Sequence, residues 1–213
     1  MKVLLVGNGC SALEHKLGKV IDTEFDLVLR MNRFKTEGYE EYVGSKTNVW
    51  LVTDNMFQYV INKTDGIEGS QNWENYDYIC EGIPTFKYNQ FNQEQTKNLK
   101  VPVVIFPPQI GDAVSNNLNL PPDRWPTLGM QSLYAGLYDK KVKEIYLYGF
   151  DGKDKKYEYL HYYDDEKTPN FKTESYYSRK ITHSDKVEFE HIQELVKSKK
   201  IKMLHKHYKG EEE

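Results

Sequence analysis

The sequence is short of cysteine, of long apolar runs and of charge imbalance, and each shortage excludes a class of protein. Only Cys10 and Cys80 occur among the 213 residues, with no CxxC, so neither a disulfide framework nor a cysteine zinc site is supported. The opening MKVLLVGNG holds an apolar run of about five residues, far short of the roughly 20 that a membrane span needs. It reads as a buried strand, because a secretory signal would carry a longer run and a small-residue cleavage site. These shortages lead to the expectation of a cytoplasmic protein with no membrane span. The net charge of -3 comes from 29 basic and 32 acidic residues mixed along the chain, so no basic face points to nucleic acid. The KSKKIK and KHYK clusters near the C-terminus are either solvated lysines or contacts for an anionic surface. Also missing is an Asp-x-Asp after a strand, since Asp151, Asp154 and Asp164 do not form one. His161 beside Asp164, Asp165 and Glu166 lacks the second histidine at helical spacing that a metal site would use. No metal and no cofactor is expected. The length and the 38% hydrophobic content suit one core, hence a single domain over 1–213 with 210–213 as a disordered tail.

What is present is a run of short apolar segments separated by turn residues. Val3 to Val6 is continuously apolar and ends in Gly-Asn-Gly, the pattern of a buried parallel strand closing in a tight turn. Asp26 to Arg30, Thr47 to Thr53, Val101 to Phe106 and Glu144 to Tyr148 are further strands, rich in β-branched and aromatic residues. Leu128 to Tyr138 carries Met130, Leu133, Tyr134 and Leu137 at helical spacing. Ser184 or Asp185 can cap a last helix with Ile192, Leu195 and Val196 as its apolar stripe, before a short strand at Ile201 to Leu204. Strands alternating with helices predict an α/β fold, a mostly parallel sheet flanked by helices. Asn62 to Asn98 has no sustained period and reads as loops, and Ser115 to Pro126 reads as irregular. Seventeen tyrosines and nine phenylalanines suit stacking on sugars and bases, or simply fill a core.

The turn after the first strand parses as G-x-G-x-x-A through Gly7, Gly9 and Ala12, so a Rossmann-type NAD enzyme is one reading. The second strand ends in Arg30, Met31 and Asn32, without the acidic residue that would hold a ribose. A second reading pairs Asn8 with Asn32. In a parallel sheet both emerge at one edge, where amides can donate and accept toward a ribose and a phosphate without adding charge. Alternatively both asparagines serve left-handed turns.

Residues Val6 to Asn48 resemble the large sialyl motif of animal-type sialyltransferases, glycosyltransferase family 29. The resemblance rests on GNG, Ile21-Asp22, Asp26, the run Val28 to Asn32, Gly38, and VGSKT from Val43 to Thr47. Pro126 to Asp151 is similar to the small motif, in which a Pro-Ser-Thr-Gly turn starts a helix and a strand ends in Tyr-Gly-Phe. His161-Tyr162-Tyr163-Asp164 resembles the third motif. His183 with Glu188 five positions on resembles the very small one. The resemblance implies a single Rossmann-like domain, the GT-A-like variant of sialyltransferases, and an inverting transfer of sialic acid from a CMP-activated donor to a glycan or glycolipid hydroxyl. It further implies that Asn8, Gly9 and Asn32 contact the nucleotide, that Thr127, Leu128, Gly129, Phe150 and Asp151 line its pocket, that His161 bonds the departing phosphate, and that His183 is the catalytic base.

The chemistry asks for these residue types. Charge builds on the leaving phosphate while the acceptor hydroxyl loses a proton, and histidine can take a proton or donate a hydrogen bond near neutral pH without a metal. Glu188 stands either as an orienting partner of His183 or as a helix cap. Arg30 and Lys46 stand either as help for a donor carboxylate or as fold-internal ion pairs. Two features depart from the animal pattern: the small motif has no cysteine, and the Ser-Thr of its turn is Thr127-Leu128. The membrane anchor of animal members is absent from the reading as well. Kdo, another CMP-activated 3-deoxy-2-ulosonic acid, is the alternative donor, and a non-catalytic CMP- or glycan-binding module is the alternative class.

Overall fold

The structure is a computed structural model that describes residues 1–53, 72–82, 99–151, 161–163 and 183–208. Among them the strands are β1 (Lys2–Val6), β2 (Leu27–Met31), β3 (Val49–Thr53), β4 (Tyr78–Gly82), β5 (Val103–Ile105), β6 (Glu144–Tyr148) and β7 (Lys202–Met203). They form one sheet in the order β5-β4-β3-β2-β1-β6-β7, parallel at every pairing. The helices are α1 (Gly18–Glu24), α2 (Glu40–Val43), α3 (Pro108–Leu118), α4 (Leu128–Tyr138), α5 (Asp185–Lys197) and α6 (Leu204–His207). No helix of the described residues is long and apolar enough to cross a membrane.

Burial on both faces explains why β1 is apolar without interruption. Val3 and Leu5 join one core cluster with Val114 of α3, Leu133 of α4 and Ile192 of α5. Leu4 and Val6 point the other way and join Ile21 of α1, Tyr148 and Leu204 of α6. The helical stripe of α4 falls where its spacing put it, with Met130, Leu133 and Tyr134 buried.

Two segments differ from the sequence expectation. β4 lies inside the stretch read as loops. Its YICEG has a single fully buried apolar residue, Ile79, and its strand character comes from pairing Val49–Thr53 on one side and β5 on the other. α3 extends into the stretch read as irregular. Pro108 opens the helix, where its missing N–H removes no bond, and Asn119 closes it in a left-handed conformation at φ 49°. Residues 62–71 and 83–98, the 210–213 tail, Asp154 and Asp164 to Glu166 lie outside the described residues.

Arg30 is fully buried in β2, where an unsolvated cation would be costly. Its Nε donates to Lys46 O at 3.2 Å and Thr47 Oγ1 at 3.0 Å, and its Nη2 donates to Val43 O at 2.7 Å. Lys46 Nζ in turn donates to Phe25 O at 2.5 Å. These bonds brace the 43–47 turn against β2 and against Phe25, a structural use of both cations that the sequence did not announce.

The chain runs outward from β1 through β2 to β5 and then crosses back to place β6 on β1's other side. The loops after β1 and β6 therefore diverge at a topological switch point, and the crevice outside the carboxyl ends of those strands is where open α/β sheets take ligands.

Candidate active site

The two loops at the switch point interlock through glycines. Gly7 N donates to Tyr148 O at 2.7 Å and Gly9 N to Gly149 O at 3.0 Å. A Cβ on Gly7 would stand 2.5 Å from Gly149 O, and Gly149 itself holds φ at 69°, so both positions need glycine. Below them, the Tyr148 hydroxyl donates to Ala12 O at 2.7 Å and His15 O at 2.8 Å. Burial, with Glu14 and Asp151 nearby, pushes its phenol up and keeps the proton in place.

Gly9 and Asp151, both expected to meet the nucleotide, meet each other. A Cβ on Gly9 would lie 2.4 Å from Asp151 Oδ2. The Asp151 carboxylate accepts from Ser11 N at 3.0 Å and from the Ser11 hydroxyl, so it caps the short turn Cys10–Leu13. With the Gly9 N–H also bonded to Gly149 O, these two residues shape the loop. Phe150 is a wedge: Cβ atoms built on Gly7 and on Gly129 would each approach its ring to 3.1 Å. The ring thus spaces the β1 turn from the start of α4.

The asparagine pair is resolved by its partners. Asn8 Nδ2 donates to Met31 O at 3.1 Å and to Arg33 O at 2.5 Å. Because two carbonyls can only accept, the amide orientation is fixed, and Oδ1 is its outward acceptor. Asn32 shows the opposite polarity, its Oδ1 accepting from Thr53 N at 3.1 Å, which leaves Nδ2 as donor. Its φ of 45° is the left-handed conformation that the alternative reading anticipated. Each side chain thus uses one half in holding the sheet edge together and presents the complementary half: an acceptor from Asn8 and a donor from Asn32.

A second group of predicted residues gathers at the start of α4. The Thr127 hydroxyl caps the helix by accepting from Met130 N at 3.3 Å. Glu188, 5% exposed on α5, accepts from Thr127 N at 2.8 Å and from Thr127 Oγ1 at 2.6 Å. The cap that the sequence allowed for Glu188 is therefore built onto a neighbouring helix rather than its own. Leu128 sends its side chain into the core, where a Cβ on Gly82 would touch it at 2.4 Å, so only its backbone is available to the turn. Gly129 faces Phe150 and Met31, and its bare Cα lets the helix start close on the crevice. The first-turn N–H groups of Leu128 and Gly129 precede the helical ladder and carry the positive end of the helix dipole.

His183 docks on the same turn. Its Nδ1 lies 2.9 Å from Trp125 O, and since that carbonyl can only accept, Nδ1 carries the hydrogen. A neutral imidazole so bonded has its lone pair on Nε2, the atom a base would use. The Trp125 ring meets His183 edge-on at 6.0 Å, and Arg124 Nη1 reaches His183 O at 3.4 Å. Trp125 and Arg124 had gone unnoticed in the sequence; their position directly before the Pro126-Thr127 turn was the available signal.

His161 belongs to a short segment laid over the β1 and β2 ends. Tyr162 N donates to Asn8 O at 3.0 Å, the Tyr162 hydroxyl to Lys35 O, and the Tyr163 hydroxyl to Arg33 O at 2.8 Å. The His161 ring stacks on Tyr163 at 5.2 Å and 5°. Asn8, Gly9, Asn32, Phe150, Asp151 and His161 are thus brought to one sheet edge. Thr127, Leu128, Gly129, His183 and Glu188 cluster at the start of α4, with the Phe150 wedge joining the groups. Among the described residues no three His, Cys, Asp or Glu side chains converge as a metal site, and Cys10 and Cys80 are not joined in a disulfide.

The model of glycosyltransferase family 29 (sialyltransferase) matches residues 3–200. The chain is 29% identical over 164 residues to CMP-N-acetylneuraminate-beta-galactosamide-alpha-2,3-sialyltransferase 1 of Gallus gallus, covering 76% of this chain and 47% of that one. It is 40% identical over 52 residues to beta-1,6-galactosyltransferase GALT29A of Arabidopsis thaliana, 24% of this chain and 13% of the relative. A crystal structure of a mammalian sialyltransferase superposes with a TM-score of 0.67 at 24% identity, covering 98% of this chain and 69% of that chain, which shows a shared fold. The chain spans about half the length of the curated sialyltransferases it matches.

Proposed function

The chain belongs to glycosyltransferase family 29, the sialyltransferases, and from that premise we propose that it transfers sialic acid, or a related 3-deoxy-2-ulosonic acid, from a CMP-activated donor to a glycan hydroxyl with inversion. In this reading His183 Nε2 takes the proton of the acceptor hydroxyl as its oxygen attacks the anomeric carbon. The bond from that carbon to the phosphate oxygen breaks, and the electron pair stays on CMP, where His161 donates a hydrogen bond. Asn8 Oδ1 accepts from a ribose hydroxyl, Asn32 Nδ2 donates to the nucleotide, and the Gly129 turn faces the phosphate. The reaction requires no metal. The observation that supports the proposal is the Nδ1 bond of His183 to Trp125 O, two residues before the turn that starts α4, because it puts the hydrogen on Nδ1 and the lone pair on Nε2.

A nicotinamide enzyme no longer competes, given the family and the absence of an acid at the end of β2. Two cysteines not joined in a disulfide suit a reducing compartment such as the cytoplasm. The donor sugar is the open choice, since the Arabidopsis relative is named for galactosyl transfer. The test is donor consumption and product formation with CMP-sialic acid, CMP-Kdo and an activated galactose, with and without chelator, in wild type and His183→Ala. The expected result is transfer from a CMP-sugar, unaffected by chelator, lost in His183→Ala while CMP still raises the melting temperature. Wild-type turnover by that variant removes the base assignment, and CMP binding without any turnover by the wild type identifies a binding module.

A further inference from the structure

The topology gathers lysines at the sheet edge opposite the crevice. α4 and α5 run antiparallel to the strands, so their C-terminal ends and the N-terminal ends of β6 and β7 share that edge. Lys140, Lys141 and Lys143 lie in the α4–β6 turn, and Lys197, Lys199 and Lys200 lie at the end of α5 and in the turn before β7; all six are exposed. The two groups are adjacent, because β6 pairs β7 with Tyr146 opposite Lys202, and Lys202 Nζ meets Glu144 Oε2 at 2.6 Å. Met1 N donates to Lys141 O at 2.6 Å, which ties the first turn to the start of β1.

Five acids share this edge, and each has a bonding partner there. Glu144 is held by Lys202, Glu194 lies 3.6 Å from His191 Nδ1, and Glu24 lies 3.7 Å from Lys2 Nζ. Asp26 accepts from Lys2 N, and Asp139 accepts from Lys141 N. Eight lysines, these six with Lys2 and Lys202, thus stand against five acids on one side of a chain whose net charge is -3.

Three features favour a charged plane as the partner. The lysines are spread over the ends of two helices and two strands, in separate segments. Beside them, at the end of α4, Tyr138 is 55% exposed, an amphipathic ring of the kind that sits at headgroup level. Lys199 adds a third sign. It occupies a left-handed position at φ 60°, in a turn closed by Lys199 N to Val196 O and Lys200 N to Leu195 O, where glycine is the unstrained residue.

We propose that this lysine edge docks the protein on an anionic lipid bilayer, by electrostatic attraction to the headgroups. Docked this way, the crevice stands off the membrane by at least the length of a five-residue strand, about 17 Å, and faces water.

The test is co-sedimentation of the full chain with phosphatidylcholine vesicles, alone or mixed with phosphatidylserine. Binding is expected only to the mixed vesicles, and it weakens as salt shortens the screening length. In K143Q/K199Q/K200Q the partition onto mixed vesicles falls on the order of 100-fold. The variant K35Q/K186Q, altered at the opposite edge, binds as the wild type does. Circular dichroism establishes that both variants are folded; if the triple variant is not, Lys140→Gln with Lys141→Gln replaces it. Equal binding to neutral vesicles, undiminished binding by the folded lysine variant, or retention on an RNA homopolymer without vesicle binding would each overturn the proposal.

Discussion

Removing the Glu188 carboxylate tests whether the start of α4 is held from outside. Glu188→Ala deletes two bonds to an ionised acceptor, one from Thr127 N and one from Thr127 Oγ1, and leaves the donors facing a void. Bonds to charged groups contribute roughly 1.5–3 kcal/mol each, and half-exposed geometry at Thr127 argues for the lower figure, so the loss is about 3 kcal/mol. For a chain of this size each kcal/mol moves the melting temperature by about 2–4 °C, which sets the expected drop at about 6–12 °C. Glu188→Gln keeps an acceptor for Thr127 N and loses about 1 kcal/mol, or about 2–4 °C. Thermal melting by circular dichroism reads both. A cycle with Thr127→Val should show coupling, since each partner is the other's ligand. If Glu188 works by positioning the turn, the CMP-induced rise in melting temperature shrinks in both variants while the acidic limb of the pH–rate profile stays in place. A Glu188→Ala protein melting within about 2 °C of wild type would refute the clamp, and a displaced pH limb would return Glu188 to a direct role on His183.

Three other outcomes are expected. Asn8→Asp should destabilise more than Asn8→Ala, because it sets a carboxylate against the carbonyls of Met31 and Arg33; equal urea midpoints would show that the two bonds from Nδ2 are not made. Lys199→Gly should raise the melting temperature, by about 1 kcal/mol of relieved left-handed strain, and no rise would mean that the turn is not closed as described. Burial pushes the Cys80 thiol up to about 12, so at pH 8 almost none is thiolate, and mass spectrometry after iodoacetamide treatment should find Cys80 unmodified until denaturant is added.

Much of this architecture is written in local pattern. β6 and α4 coincide with the apolar run and the helical stripe that announced them, and β1, β2 and β3 are displaced by a residue or two. β4 was hidden because its apolar content is slight and its conformation is imposed by neighbours far away in sequence. α3 was hidden by residues that mark loops elsewhere, yet here form its ends. At the site, residue types could be named from motifs, but their division of labour could not. The resemblance implies that Asp151 and Gly9 line a nucleotide pocket; only the geometry shows that Ser11 and Gly149 bond to them. The sequence offered Glu188 as a partner of His183 or as a cap; the geometry adds that Glu188 of α5 holds Thr127 at the start of α4. These are contacts between segments tens of residues apart or more, and no local pattern encodes which of several polar neighbours a side chain will meet.

The central place of β1 has a consequence for biosynthesis. Its partner on one side, β2, follows within about 25 residues, but its partner on the other, β6, pairs Lys2 with Glu144. At about 5–20 residues per second a ribosome needs roughly 7–30 s to deliver that second partner. For that interval Leu4, Leu5 and Val6, which end fully buried, have one open flank and no finished core to enter. The first of these seven strands in chain order is therefore among the last to be completed, and the nascent chain exposes this apolar segment for as long as translation takes to reach Tyr148.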